Sequence, residues 1–164
     1  MDPHRTALAM TWTGHLTHIH IAEQGGAPMQ PLGSAKLVAG VGIEGDRYAS
    51  GRGHYSNMPR ADRQVTLIEM ETLEALARDH GIELLPHESR RNLTTRNVPL
   101  NHLVGRRFRV GAVLLLGARL NVPCKYLEQV TGKLVYAPLI NRSGLNCEIL
   151  EGGMVRVGDV LRPA

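Results

Sequence analysis

The chain has 164 residues, with 19 Lys and Arg against 15 Asp and Glu for a net charge of +4 with histidines neutral. That length suits one domain with a core of its own, without disulfides or a structural metal. The modest basic excess is spread along the chain, and one Trp, four Tyr and one Phe make no base-stacking platform, so an anionic small ligand is expected as partner rather than nucleic acid. Two cysteines and no signal peptide point to free thiols in a reducing cytoplasm. Arg119 and Gly117 cut short the most apolar stretch, Val110 to Leu116, so no membrane span is expected.

Met1 to Thr13 shows no periodicity and is expected to be a lead-in. His15 to Ala22 alternates as a first strand, with Thr17, Ile19 and Ile21 on one face and Leu16, His18 and His20 on the other. The His18–His20 pair would suit a metal, but no further ligand follows at ligand spacing, which favours a half-exposed strand face. Lys36 to Val41 reads as a second strand. Gly40, Gly42 and Gly45 then lead to Gly45-Asp46-Arg47, which is either a glycine-rich hairpin connection or a ligand loop with Arg47 for an anion and Asp46 to orient it. The segment from Ala49 to Arg63, broken by Gly51, Gly53 and Pro59 and carrying His54, has the composition of a surface loop long enough to act as a lid.

Gln64 to Ile68 is expected to be a strand running into a helix, with Met70, Leu73, Leu76 and Ala77 at helical spacing and Gly81 as the stop. In the stretch from Pro86 to Thr95, strand alternation sends Arg90 and Asn92 to one face and Arg91 to the other. An Arg and Asn fork suits a phosphate or a polar heterocycle edge, and a surface ion pair with Glu88 is the alternative. Short strands are expected over Gly105 to Val110, Ala112 to Leu116 and Ala118 to Val122.

The stretch from Leu120 to Leu127 contains Pro123-Cys124. Proline pushes Val122 into an extended conformation. Lys125 to Val130 are helix formers, so Cys124 is placed at a strand end and near a helix N-terminus, where free N–H groups and Lys125 favour the thiolate. A thiolate is a nucleophile and a soft metal ligand, whereas a small buried hydrophobe is the commoner role of an unpaired cysteine. A second helical piece is expected around Lys133 to Ile140, and Leu145 to Leu150 with Met154 to Val157 as a terminal hairpin. Many short strands with one long helix indicate a mainly β fold, a closed or nearly closed barrel with flanking helices.

Six pieces in order resemble the MOSC domain, named from the C-terminal part of molybdenum cofactor sulfurases. They are Gly45-Asp46-Arg47, Glu88-x-Arg90-Arg91-Asn92-Leu93, Leu103-x-Gly105, Pro123-Cys124, Gly144-Leu145 and Gly152-Gly153-x-Val155-x-Val157-Gly158-Asp159. The resemblance runs from about Val38 to Leu161 and is similar to the short, stand-alone branch, a single domain. It implies a β-barrel that binds the molybdenum cofactor, with Cys124 as molybdenum ligand in a reductase of N-hydroxylated compounds. Arg90, Asn92 and Arg91 would hold the pterin and its phosphate, helped by Arg47, Asp46 and His54. Electrons would come from separate electron-transfer proteins. The alternatives it implies are a sulfur carrier, with Cys124 taking persulfide sulfur from a pyridoxal phosphate-dependent desulfurase, and a non-catalytic pterin- or anion-binding module. Cys147 is expected to be core.

Overall fold

The structure, a computed structural model, describes residues 9–58 and 60–164. The first eight residues of the expected lead-in, and Pro59 of the expected loop, lie outside the described residues. What is described of the lead-in is anchored: Met10 and Trp12 pack against the core, and the Trp12 ring meets Phe108 edge-on at 6.3 Å.

Strand β1 (Gly14–Ile21) is followed by the short β2 (Gln30–Leu32), β3 (Ser34–Val38) and β4 (Gly42–Ile43). Then come β5 (Val65–Glu69), α1 (Met70–His80), β6 (Leu93–Arg96), β7 (Arg107–Val110), β8 (Val113–Leu120) and α2 (Lys125–Thr131). The chain closes with β9 (Leu145–Glu151), β10 (Gly153–Arg156) and β11 (Val160–Pro163). Strands run in the order β11-β7-β8-β9-β5-β6-β1, and β1 pairs back onto β11 through Gly14↔Leu161 and His15↔Val160. The result is the expected closed barrel. β2 extends it beside β1, and β10, β3 and β4 form a separate small sheet.

Chain chemistry explains the framework. β5 begins Val-Thr-Leu-Ile and β8 begins Val-Leu-Leu-Leu, apolar runs that suit a buried pleated surface, and their inward side chains join one cluster containing Leu16, Ile19, Leu67, Phe108, Leu115 and Leu145. Each such side chain contributes about 1.5–3 kcal/mol on full burial. α1 crosses over between β5 and β6, which are parallel at Leu67↔Leu93 and Ile68↔Thr94. A parallel pair requires such a crossover. Gly81 ends α1 in the left-handed conformation with its N–H on Ala77 O, the usual role of glycine after a helix. A second apolar cluster (Ile68, Leu73, Leu76, Leu84, Leu127, Val135 and Leu139) joins α1 and α2 outside the barrel wall.

Several sequence expectations are corrected. A bulge in β1 between Leu16 and His18 shifts the alternation, so Leu16 faces inward with Ile19 rather than outward with His18; a strand with one extra residue changes face at that point. On α1 the buried stripe contains Thr72 and Ala75 with Leu73 and Leu76, and Ala77 is exposed. β8 runs unbroken through Gly117, where a Cβ would lie 2.0 Å from Leu103 O; here glycine marks a close approach and not a turn. The segment from Lys133 to Ile140 is a series of turns with no helix. β10 pairs with β3 and not with β9, so the two terminal strands are not a hairpin.

Candidate functional site

Cys124 lies directly before α2 in an extended conformation (φ −134°, ψ 153°). Its sulfur is half-buried, packed on one side against the α1–α2 cluster and on the other lining a cavity of about 260 Å³. Five arginines line the same cavity, Arg47, Arg63, Arg90, Arg91 and Arg119, with Tyr48, Tyr55, Thr66, Asn121 and Asn146. Among the described residues no carboxylate lines it. A smaller adjoining space of about 50 Å³ shares Arg47, Tyr48, Tyr55, Arg90, Arg91 and Cys124 and adds His54 and Tyr126. Together they approach the low end of the roughly 300–1,000 Å³ typical of small-molecule sites.

Each arginine is set by backbone. Arg90 is in the left-handed conformation (φ 60°) after a short 3-10 turn, Pro86–Ser89, which breaks the expected strand alternation before β6 begins. Consequently Arg90 and Arg91 both reach the cavity, and Asn92 does not line it. The Asn92 side chain accepts from Thr66 N (3.1 Å) and Thr66 Oγ1 (3.2 Å) and donates to His20 O (3.1 Å). It ties β1 and β5 together beneath the arginines. The alternative ion pair with Glu88 is also absent, because Glu88 pairs with Lys133.

Arg91 is the most constrained member. It donates Nε to Ser143 O (2.9 Å), Nη1 to Ser89 O (3.3 Å), and Nη2 to both Asn121 Oδ1 (2.5 Å) and Ser143 Oγ (2.9 Å). Burial lowers its guanidinium to about 10, with the Cys124 sulfur acting in the opposite sense. Arg90 donates Nη1 to Ala27 O (2.8 Å), while its Nη2 is buried without a partner among the described residues. Burial first and Arg47 second hold the Arg90 guanidinium below its ordinary value. Arg47 is held by Asp46 (Nη1 to Oδ1, 3.0 Å) and donates Nη2 to Arg90 O (3.2 Å). Asp46 is fully buried and also accepts from Ala22 N and Tyr48 N; it orients Arg47 and is not part of the cavity wall.

The segment after Ala49 brings His54 and Tyr55 to the space that Cys124 also lines. Its His54 ring stacks on Tyr126 (3.8 Å, 10°) and meets Tyr55 edge-on (4.6 Å), and Arg52 O accepts from Gly25 N (2.8 Å). Burial first, and then the neighbouring Cys124, pushes the Tyr55 hydroxyl up to about 12. Lys125, expected beside the thiol, is turned away, near Glu128 (3.6 Å) and over the Tyr136 ring. The cations that line the cavity with Cys124 are arginines. Cys147 is fully buried in the barrel as expected, and burial pushes its thiol up. His18 and His20 stack at 6.0 Å, with His87 next to His20 at 6.2 Å, and no group of three metal-ligating side chains is found among the described residues.

Sequence reasoning missed Arg63, Arg119, Tyr48, Tyr55, Ser143 and Asn146. Asn121, three residues before Cys124, carries the one local signal, a polar side chain at the end of an apolar strand.

The family model described as the MOSC domain matches residues 44–162. The chain belongs to the MOSC family. Solved structures similar to this MOSC chain include the YuaD protein from Bacillus subtilis, with TM-score 0.76, 20% identity, and coverage of 92% of this chain and 97% of that one. YiiM from Geobacillus stearothermophilus is similar with TM-score 0.71 and 13% identity over 92% and 75% of the two chains. YiiM from Escherichia coli follows with TM-score 0.65 and 19% identity over 95% and 70%. At these identities the likeness is one of fold. No curated protein matches the MOSC chain at a significant level. Among the described residues no helix is long and apolar enough to cross a membrane.

Proposed function

We propose that this MOSC protein binds the molybdenum cofactor and reduces N-hydroxylated compounds, with Cys124 as the metal ligand. The observation that carries the reading is one cysteine sulfur on the wall of a cavity with five arginines and, among the described residues, no carboxylate. The donor set fits the group. A thiolate is a soft ligand suited to a transition metal, and guanidinium forks suit the oxygens of a phosphate. The buried Arg90 Nη2 lacks a partner among the described residues, and a buried donor left unpaired costs about 1–3 kcal/mol until an acceptor arrives.

Arg47, Arg90 and Arg91 would hold the anionic end of the pterin, and Asn121 and Asn146 would offer amides to its polar edge. The cofactor when bound supplies the oxygen-atom chemistry, and the chain supplies orientation and charge. Asp46 and Ser143 keep Arg47 and Arg91 in place before anything binds, so little side-chain entropy is lost on binding. Tyr55 lines the cavity beside the sulfur, with His54 and Tyr126 on the wall of the adjoining space. Electrons would be delivered by separate proteins.

The test is molybdenum and pterin content per chain, for protein made in a cofactor-producing host. Near-stoichiometric loading is expected in the wild type, with a drop of tenfold or more in Cys124→Ser and an unchanged melting temperature. Metal-free protein carrying a one-sulfur mass increment on Cys124 would replace this reading with the sulfur carrier. Equal pterin binding by Cys124→Ser would replace it with the non-catalytic module.

A further inference from the structure

A groove of about 650 Å³ runs beside the Cys124 cavity and shares Tyr48, Tyr55 and Arg63 with it. The same three side chains therefore border both spaces, and the groove adjoins the cavity on its Arg63 side. Its surface combines the two tyrosines with Val41, Ala49 and Ala61, and Arg60 lines it beside Ala61. Flat aromatic bodies bury well against such a mixture.

The groove also has unbalanced charge. Asp62 receives both Arg60 (3.0 Å) and Arg119 (2.7 Å), so one carboxylate faces two guanidiniums. Arg63 places only Nη1 on protein acceptors, Tyr55 O and Met58 O, both at 2.7 Å. Among the described residues no carboxylate lines the groove itself. A concave surface with one sign of charge concentrates ligands of the other.

We propose that the compound acted on at Cys124 is a planar aromatic acid, whose ring lies in this groove against Tyr48 and Tyr55 and whose anionic group is met by Arg63 and Arg60. Calling it a substrate rests on the function proposed above; its binding in the groove does not. The cavity of about 260 Å³ is left to the cofactor's head and the reacting group, and the groove takes the remainder of the molecule.

The test uses the full chain with ring-labelled tyrosine, titrated by NMR with 4-carbamoylbenzoate and with benzamide. The acid is expected to move the Tyr48 and Tyr55 signals and to bind at least tenfold tighter than the amide, an advantage of ~1.4 kcal/mol. That advantage should shrink as salt is raised from about 50 to about 500 mM, since exposed charges are screened. Ala61→Glu, an exposed position on the groove, should cost the acid tenfold and the amide less than threefold; Val41→Glu serves if Ala61→Glu fails to fold. Equal affinity for the two probes, tyrosine signals that do not move, or folded Glu variants with unaltered preference would each overturn the proposal. Absent metal loading with intact probe preference would count against the proposed function alone.

Discussion

His20 lies on β1 with only 4% of its surface exposed and with Nδ1 lacking a partner among the described residues. Burial, followed by repulsion from His18 and His87, lowers it from 6.5 to about 4. The folded state therefore keeps the ring neutral while the unfolded chain takes up a proton below pH 6.5. Stability is complete above pH 6.5, falls as the pH drops toward 4, and levels off below that. The full interval corresponds to about 3 kcal/mol. Urea unfolding at pH 7 and pH 4.5 should recover much of this difference in the wild type, and His20→Gln should flatten the slope. The same residue illustrates what single positions conceal. Two histidines on one strand are visible in the sequence, but the burial of His20 and the approach of His87 from a turn far along the chain depend on tertiary pairing that local pattern does not encode. Arg90 and Asn92 are similar: the residue types suggested an anion clamp, and the left-handed backbone at Arg90 exchanged Asn92 for Arg91 on the cavity wall.

At the level of elements, the joint between the turns after α2 and β9 carries the site. Gly144 has φ +103°, and a Cβ there would stand 2.0 Å from Leu67 O. Its carbonyl accepts from Asn121 N (2.7 Å), and its neighbour Ser143 holds Arg91. Gly144→Ala should therefore cost roughly 2 kcal/mol or more, seen as a melting temperature lower by about 5 °C, and should reduce anion binding as Arg91 shifts. The segment around His54 should respond more gently. Tyr126→Ala removes a stacked pair worth about 0.5–1.5 kcal/mol, and faster proteolysis within residues 49–58 is the expected readout. β5, α1 and the Gly81 stop were legible because their hydrophobic period and end signals agree with the tertiary structure. Gly117 is the opposite case, since a glycine that permits close backbone approach looks in sequence like one that makes a turn.

For the molecule as a whole, closure is the deciding property. β11 bridges β1 and β7, and its link to β1 rests on two residue pairs. Deleting Val160 to Ala164 would leave both neighbours as open edges and uncover Leu161's place in the core. The truncated chain should lose its cooperative urea transition, and retention of a sharp transition would show that the barrel tolerates an open seam. The number of short strands announced a barrel, whereas strand order and the separate β3–β4–β10 sheet had no local signature. Likewise a net charge of +4 gave no hint that five arginines from four separate segments converge on one cavity.

Of the two free sulfurs, Cys147 is sealed inside the barrel and Cys124 borders the cavity. An electrophile meeting the intact chain has a single point of attack, which coincides with the seat of the proposed chemistry. Alkylation thus becomes a footprint of occupancy: whatever fills the space in front of Cys124 shields it, with no second thiol to blur the reading.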